Sequence, residues 1–430
     1  MISRVLAADL PAHVGEEVRI AGWIHRRREL KSVTFVIVRD RSGLAQVVSA
    51  GHAAVELGAE TVVEVTGVVT ANPQAPGGAE LTEPVLSPLS EPASPPPFDL
   101  YRPTLSATLP VILDNAPVAL RHPRSRAVFE ISAASVAGYR AALDRLGFTE
   151  VHTPKIVGSA TESGANVFGI DYFGRRAYLA QSPQFFKQAL VGVFERVYEV
   201  GPVFRAEPHD TTRHLAEYTS LDAEFGFITD HREVMALLRE VIAGMVASVG
   251  DRACAAVRLL AAALPVVPEE IPAIHFADAQ ELLAEHTETD PRGEPDLAPA
   301  HERWLSDWAH RTHGSEFLFV TGYPMAKRPF YTQPEPGRPA YSNSFDLLFR
   351  GLELVTGGQR LHRHADYLTA LSALGADAES YQDYLRVFAH GMPPHGGFAL
   401  GLQRWTARLL GLANIRQATL FPRDLHRLNP

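Results

Sequence analysis

The chain has 430 residues, room for two or three domains and a large core. A hydrophobic content of 46% and a net charge of −9 exclude a disordered chain and a globally basic nucleic-acid binder. Cys254 is the only cysteine, which excludes a disulfide framework and a cysteine zinc site and fits the cytoplasm; no apolar run approaches the roughly 20 residues that span a bilayer, so no membrane role is expected.

Residues 16–89 alternate apolar and polar positions in EEVRIAGWIHRRREL and VTFVIVRDRSG, and LAQVVSA, TVVEVTGVVTA and ELTEPVLSPL follow. Five short strands in this length predict a closed OB-type barrel over residues 1–92, a fold that binds oligonucleotides on one face. Residues 19–41 gather Arg19, Arg26, Arg27, Arg28, Lys31, Arg39 and Arg41 against Glu29 and Asp40. Such a patch holds a polyanion or is a solvated strand edge. Phe35 and Gln46 fall on adjacent strands. On a basic face they would stack on and read an RNA base; the competing reading puts Phe35 in the core.

The run EPASPPP opens a stiff linker or hinge over 93–122, with 100–122 irregular. The third region, 123–430, begins with SRAVFEISAASVAGYRAALDRLG, a long amphipathic helix ended by Gly147, and GFTEVHTPKI then reads as extended. Strands are expected at RAYLA, RVYEVGPVFRA, EYTSLDAEFGF, SEFLFVTGY, SNSFDLLFRGLELVTGG and HGGFALGL. Helices are expected at SPQFFKQALVGVF, HREVMALLREVIAGMVASVG, ERWLSDWAHRT, HADYLTALSALGA, SYQDYLRVFAH and QRWTARLLGL. Without regular alternation, these predict an α+β domain on an antiparallel sheet.

The segment FRAEPHDTTRHLAE packs Arg205, Glu207, Arg213, His214 and Glu217 between two strands, a set able to grip phosphates and sugar hydroxyls without a glycine loop. Neither a GxxxxGKS/T nor an HExxH pattern is present. Arg404 follows GGFALGLQ, where Gly396, Gly397 and Gly401 admit a ligand or a second backbone. Asp346 and Glu353 are seven residues apart in SNSFDLLFRGLELVTGGQR. A plain strand would send them to opposite faces, so a shared magnesium site needs a turn or bulge, for which Arg350-Gly351 is the candidate. Lys187 and Arg360 are two cations suited to a small acidic substrate. Lysine occurs only at Lys31, Lys155, Lys187 and Lys327, and that scarcity favours a purpose for Lys187, which shares a helix face with Gln184.

Together these motifs resemble the class II aminoacyl-tRNA synthetases, within them the aspartyl, asparaginyl and lysyl subgroup, and most closely its archaeal-type aspartyl members. GFTEVHTPKI is similar to motif 1 (about 124–156), with Pro154 as its signature proline; FRAEPHDTTRHLAE is similar to motif 2 (about 197–225) and GGFALGLQR to motif 3 (about 396–411). QSPQFFKQ, ATESGANVF and TTRHLAE add to a likeness that covers nearly the whole chain, and no HIGH-type or KMSKS-type pattern of class I is present. The resemblance implies ATP contacts from Arg205, Ala206, Glu207, Arg213, His214, Leu215, Tyr218, Glu353, Gly401, Leu402, Gln403 and Arg404. Arg205 and Arg404 would be the catalytic pair, Arg205 at the α-phosphate and Arg404 with His214 at the β/γ end of a bent triphosphate. Glu207 and Tyr218 would meet adenine, and Asp346 and Glu353 would hold Mg2+.

For L-aspartate the resemblance implies Lys187 and Arg360 at the side-chain carboxylate and Ser182, Gln184 and Asp222 about the ammonium. Thr356 and Arg205 would stand beside them, and Glu162 would lie in a closing loop. Asparaginyl enzymes lack the lysine of QSPQxxK, and a neutral amide would leave Lys187 an uncompensated buried charge. Family motif 3 carries an acid where Gln403 stands, which puts a local ion pair in doubt. In the barrel, Phe35, Gln46 and Glu80, with Arg26, match positions that read the anticodon bases shared by the aspartate and asparagine tRNAs. His25 and Pro84 match positions bearing on the third base, with the residue types of members that charge both. The expectation is a homodimer, joined through motif 1, that aspartylates tRNA-Asp and tRNA-Asn and works beside an Asp-tRNA-Asn amidotransferase. A tRNA-Asp-specific enzyme and an asparaginyl enzyme are the alternatives. A tRNA-binding protein without catalysis is disfavoured by Arg205, Glu353 and Arg404.

Overall fold

The structure, a computed structural model, describes residues 3–50, 57–158, 166–288 and 290–429. The chain divides into two compact units, Met1–Pro123 and Arg124–Pro430.

In the first unit, β1 (Glu17–Glu29), β2 (Val33–Arg39), β3 (Leu44–Ala50), β4 (Val62–Ala71) and β5 (Ala79–Pro88) close in the order β1-β2-β3-β5-β4. This is the expected barrel. Alternation sends Val18, Ile20, Ile24, Val36, Val38, Val47, Val63, Val65 and Leu81 inward as a branched aliphatic core. At Gly22 a Cβ would stand 2.2 Å from the Arg39 carbonyl oxygen, so β1 and β2 close only over a glycine. Residues 100–122 are more regular than expected, with α1 (Leu109–Asp114) and α2 (Ala116–Ala119). Pro110 and Pro117 occupy first turns, where a missing N–H costs nothing, so they start helices here and do not break them.

The second unit opens with α3 (Pro123–Arg145) and β6 (Thr149–Glu150), followed by a small sheet of β7 (Ile156–Val157), β8 (Gly169–Tyr172) and β9 (Arg175–Leu179). Then come α4 (Gln184–Phe194), β10 (Arg196–Phe204), β11 (Glu217–Gly226), α5 (His231–Arg252), α6 (Cys254–Leu260), β12 (Ala273–His275), α7 (Phe276–His286), α8 (Pro299–His313) and β13 (Phe317–Thr321). The chain continues through β14 (Pro334–Glu335), β15 (Arg338–Ser342), β16 (Ser344–Phe349), β17 (Leu352–Gln359), α9 (His364–Ala373), α10 (Gln382–Phe388), β18 (His395–Gly401) and α11 (Leu402–Leu409). The main sheet has the order β12-β13-β16-β17-β18-β11-β10-β6. It is antiparallel through its centre, with parallel pairs β12/β13 and β6/β10 at the edges. The α+β class follows as expected.

Helices α3 and α5 cross closely on the core face. A Cβ on Gly138 would stand 2.6 Å from the Gly244 carbonyl oxygen. Ile131, Tyr139, Leu238 and Met245 pack there with Phe345, Phe398 and Trp405. The β16–β17 hairpin turns through Arg350 (φ 48°) and Gly351 (φ 81°), the positive pair that a tight two-residue turn requires. Its register runs Leu347↔Val355 and then Leu348↔Glu353, which leaves Leu354 as a bulge. Directly paired residues share a face, so turn and bulge together bring Asp346, Glu353 and Thr356 to one side.

Candidate active site and RNA-binding face

The loop 205–216 joins β10 to β11 and is fixed at several points. Arg205 N–H donates to the Ala216 carbonyl (2.9 Å), and Ala216 N–H donates to the Arg423 carbonyl (2.8 Å). Arg416 donates to Asp210 (2.7 Å) and to the Thr211 carbonyl (3.0 Å). The arginine-rich composition hides Arg416 from sequence reading. Beneath the loop lies a cavity of about 150 Å³, walled by Arg205, Glu207, Arg213, His214, Leu215, Tyr218, Glu353, Thr356, Gly401, Gln403 and Arg404. Two expected residues are not on that wall. Ala206 donates its N–H to the Asn166 carbonyl (2.9 Å), and Leu402 belongs to the main core.

Three arginines therefore face one small space, the electrostatic setting for a polyphosphate. The Arg205 guanidinium stands 5.8 Å from the centre of the Tyr218 ring. His214 Nε2 is 3.4 Å from Glu207, and Nδ1 is 2.7 Å from the Thr211 hydroxyl. Burial lowers the His214 pKa; Glu207 opposes this, and Arg404 and Arg213 act with burial. Gln403 accepts the Thr219 N–H (2.9 Å), so an amide ties α11 to β11 where the family has an acid.

Asp346 and Glu353 adjoin this cavity. Burial lifts Asp346 to about 7, although Arg328 donates to it at 3.0 Å. Burial also pushes Glu353 upward, but Arg404 at 3.6 Å and a 3.0 Å bond from the Thr356 hydroxyl win and hold it below its ordinary value. Two carboxylates on one face beside a phosphate pocket fit Mg2+, which takes one or two carboxylates and completes its shell from phosphate and water. Among the described residues no group of three or more metal-ligating side chains gathers. Arg328 and Glu302 are site residues without a sequence signal. Glu302 of α8 accepts the Glu353 N–H (3.0 Å) and lies 3.9 Å from Arg213.

Deeper, Lys187 is 2% exposed and donates to Asp222 (2.9 Å) and to the Phe398 carbonyl (3.1 Å), with Glu224 at 3.3 Å. Arg360 donates to the same Glu224 at 2.9 Å and to the Gly397 carbonyl at 3.1 Å. The two cations converge as expected. The charge argument for aspartate is corrected, however: Lys187 already has two carboxylates, so no substrate charge is needed to compensate it. Glu224 was not singled out in the sequence. Burial would raise its pKa, yet Arg360 and Lys187 hold it low and ionised. A Cβ on Gly397 would stand 2.1 Å from a Glu224 oxygen, so the GGF glycines make room for this side chain. Ser182 accepts the Gln184 N–H (3.0 Å), and Gln184 Nε2 is buried with no hydrogen-bond partner among the described residues, a donor awaiting an acceptor. Glu162 and most of ATESGANVF lie outside the described residues.

On the barrel, Arg28 pairs across from Phe35, Arg26 and Gln46 from Ile37, and Gln46 from Glu80, so these side chains share a face. Phe35 lies on this face and not in the core. Gln46 and Asn72 donate to Glu80 at 2.7 and 2.8 Å. Arg26 projects over Tyr101 at 4.8 Å. His25 departs from the expected base contact: its ring is buried and engaged by Arg39 at 3.2 Å. Pro84 lies in a bulge of β5 opposite Gly67, after Glu83 at φ 51°. The basic patch is partly consumed, since Arg19 pairs with Glu64 and Arg39 is buried. A separate cavity of about 1040 Å³ between α5 and β12 contains none of the expected site residues.

Residues 109–425 match the family model described as tRNA synthetases class II (D, K and N), and residues 18–89 match the OB-fold nucleic acid binding domain. The chain belongs to the class II tRNA synthetases. Among relatives of this synthetase, the Aspartate--tRNA(Asp/Asn) ligase of Thermus thermophilus is 47% identical across 99% of this chain and 100% of its own. That of Deinococcus radiodurans is 45% identical across 100% and 99%. The asparaginyl-tRNA synthetase of Pyrococcus horikoshii, solved with asparaginyl-adenylate, superposes with a TM-score of 0.93 at 30% identity, covering both chains fully. No described helix is long and apolar enough to cross a membrane.

Proposed function

We propose that this class II synthetase is an aspartate–tRNA ligase. It activates L-aspartate with ATP and charges tRNA-Asp and tRNA-Asn. The arginine-walled cavity and the buried Lys187–Arg360 pair carry this reading: three arginines suit a polyphosphate, and two cations that meet at Glu224 suit a short dicarboxylate. The two relatives above bear names with both tRNAs at 45–47% identity, and the asparaginyl structure is more distant at 30%.

In the first step the α-carboxylate of aspartate, already ionised, attacks the α-phosphorus of ATP, and pyrophosphate leaves, so no side-chain base is required. Arg205 meets the negative charge that builds on the α-phosphoryl oxygens, and Arg404, Arg213 and His214 hold the departing end. Tyr218 stacks on adenine, with Glu207 beside it. Asp346 and Glu353 are the residues that would hold Mg2+, which would supply neutralisation of phosphate charge there. Lys187 and Arg360 pair with the substrate side chain as their bonds to Glu224 and Asp222 rearrange, and Gln184, Ser182 and Asp222 surround the ammonium. In the second step a terminal ribose hydroxyl of tRNA attacks the acyl carbon and AMP leaves. Phe35, Gln46, Glu80 and Arg26 contact the anticodon.

A homodimer through motif 1 is part of the proposal. Pro154 and Ile156 are exposed, and Glu199 fixes their loop by accepting from Thr153 and pairing with Lys155 at 2.9 Å. The setting is the cytoplasm, beside an amidotransferase that converts the aspartyl group on tRNA-Asn. Exchange of pyrophosphate into ATP tests the amino-acid assignment: aspartate supports it, and equal exchange with asparagine overturns it.

A further inference from the structure

The barrel holds a buried charge network that adenylate chemistry does not use. Arg39 donates two bonds of 2.8 Å to the Glu60 carboxylate, and Arg121 adds a third of 2.9 Å. Arg39 and Glu60 are each 5% exposed. Glu60 has φ 69°, a conformation that a residue with a side chain adopts only where its surroundings hold it. Its N–H donates to the Ile24 carbonyl (2.7 Å), and Ile24 N–H donates to the Thr61 carbonyl (2.9 Å). The network is therefore stitched to β1 one residue before an irregularity. There the β1–β2 register passes from Ile24↔Val38 to Arg26↔Ile37, which makes His25 an extra residue in a bulge.

A bulge re-aims the strand beyond it. Past His25 come Arg26 and Arg28, on the face of Phe35, Gln46 and Glu80. His25 itself is withdrawn. Arg39 reaches its Nδ1 at 3.2 Å, and the ring is 7% exposed. At this corner of the barrel the imidazole is buried and held by Arg39.

We propose that the Arg39–Glu60–Arg121 clamp sets the breadth of anticodon recognition by holding His25 out of the RNA face. The proposal rests on the reading that both tRNAs are charged. Their anticodons differ in one pyrimidine, cytosine in one and uracil in the other, whose pairing edges exchange a donor for an acceptor. A fixed hydrogen-bonding side chain beside that base would reject one of them, and a corner with its side chain drawn inward accepts both. Arg39, Glu60 and Arg121 are positioning residues that act through His25.

The test is kcat/KM for aspartylation of the two tRNA transcripts by wild type, Glu60→Gln, Arg121→Gln and His25→Ala, with aspartate-dependent pyrophosphate exchange as a control. Glu60→Gln moves the tRNA-Asn to tRNA-Asp ratio at least fivefold and leaves exchange unchanged. Arg121→Gln, at a partly exposed arginine that leaves the Arg39–Glu60 pair intact, moves it less and in the same direction; it decides the matter if Glu60→Gln unfolds the barrel. In a His25→Ala background the Glu60→Gln shift disappears. A ratio that stays within twofold, an equal loss on both tRNAs with the barrel folded, or a shift that persists without His25 overturns the clamp alone. Wild type that charges only tRNA-Asp overturns the functional reading together with it.

Discussion

Single residues divide the work between binding charge and compensating it. Arg205 sits in a cleft and not in the core, so Arg205→Ala is expected to leave the melting temperature near wild type while slowing adenylate formation about 10²–10³-fold, the cost of removing one preorganised charge partner. Pre-steady-state adenylate formation checks this. Lys187 behaves differently, because it is buried between Asp222 and Glu224. Lys187→Met is expected to abolish aspartate-dependent exchange and also to cost about 3–5 kcal/mol of stability by leaving a buried carboxylate uncompensated; thermal melting reads the second effect. Lys187, Arg360, Asp346 and Glu353 could be singled out in the sequence because family motifs contain them, although the spacing of the two acids alone would have separated them. Glu224, Glu302, Arg328 and Arg416 could not. Each acts on another protein group, and no local pattern announces partners that lie 18, 51, 136 and 206 positions away.

At the scale of elements, geometry comes from turns and bulges. The β16–β17 hairpin brings Asp346 and Glu353 together only because the Arg350-Gly351 turn and the Leu354 bulge reset its register. Gly351→Ala forces a side chain into a positive-φ position and is expected to cost about 1–3 kcal/mol. The Mg2+ concentration needed for half-maximal exchange should rise with it; an unchanged Mg2+ requirement would count against this hairpin as the metal support. The turn was legible as Arg-Gly, and the bulge was not, because Leu354 looks like any strand residue. The two short helices after the linker were missed for a related reason. A proline reads as a breaker unless its place in the first turn is known, and tertiary packing decides that place.

For the whole molecule, two buried histidines set an acid limit. His395 accepts from Gln188 at one nitrogen and lies 2.8 Å from the Pro393 carbonyl at the other, and burial holds its pKa near 4. Burial and Arg39 hold His25 near 4 as well. Both pKa values are depressed from 6.5, so the folded protein binds fewer protons than the unfolded chain between those limits. Stability is full above about 6.5 and is lost as pH falls toward about 4, by about 1.4 kcal/mol per pH unit for each histidine. Denaturant unfolding at stepped pH should show that slope, and His395→Gln should flatten it in the catalytic unit. The class of the barrel and its five strands were open to sequence reading, because period-two alternation marks strands and fixes which side chains turn inward; their order was not. Which of the barrel's arginines remain free for RNA was not, since Arg19 and Arg39 differ from Arg26 and Arg28 only in the carboxylates that the fold sets beside them. The central claim, one active site serving two tRNAs, is tested most directly by aspartylating purified tRNA-Asp and tRNA-Asn transcripts side by side with the wild-type enzyme. The account predicts kcat/KM values within about tenfold of each other, a difference of about 1.4 kcal/mol; a preference for tRNA-Asp of more than about a hundredfold, about 2.7 kcal/mol, would contradict it.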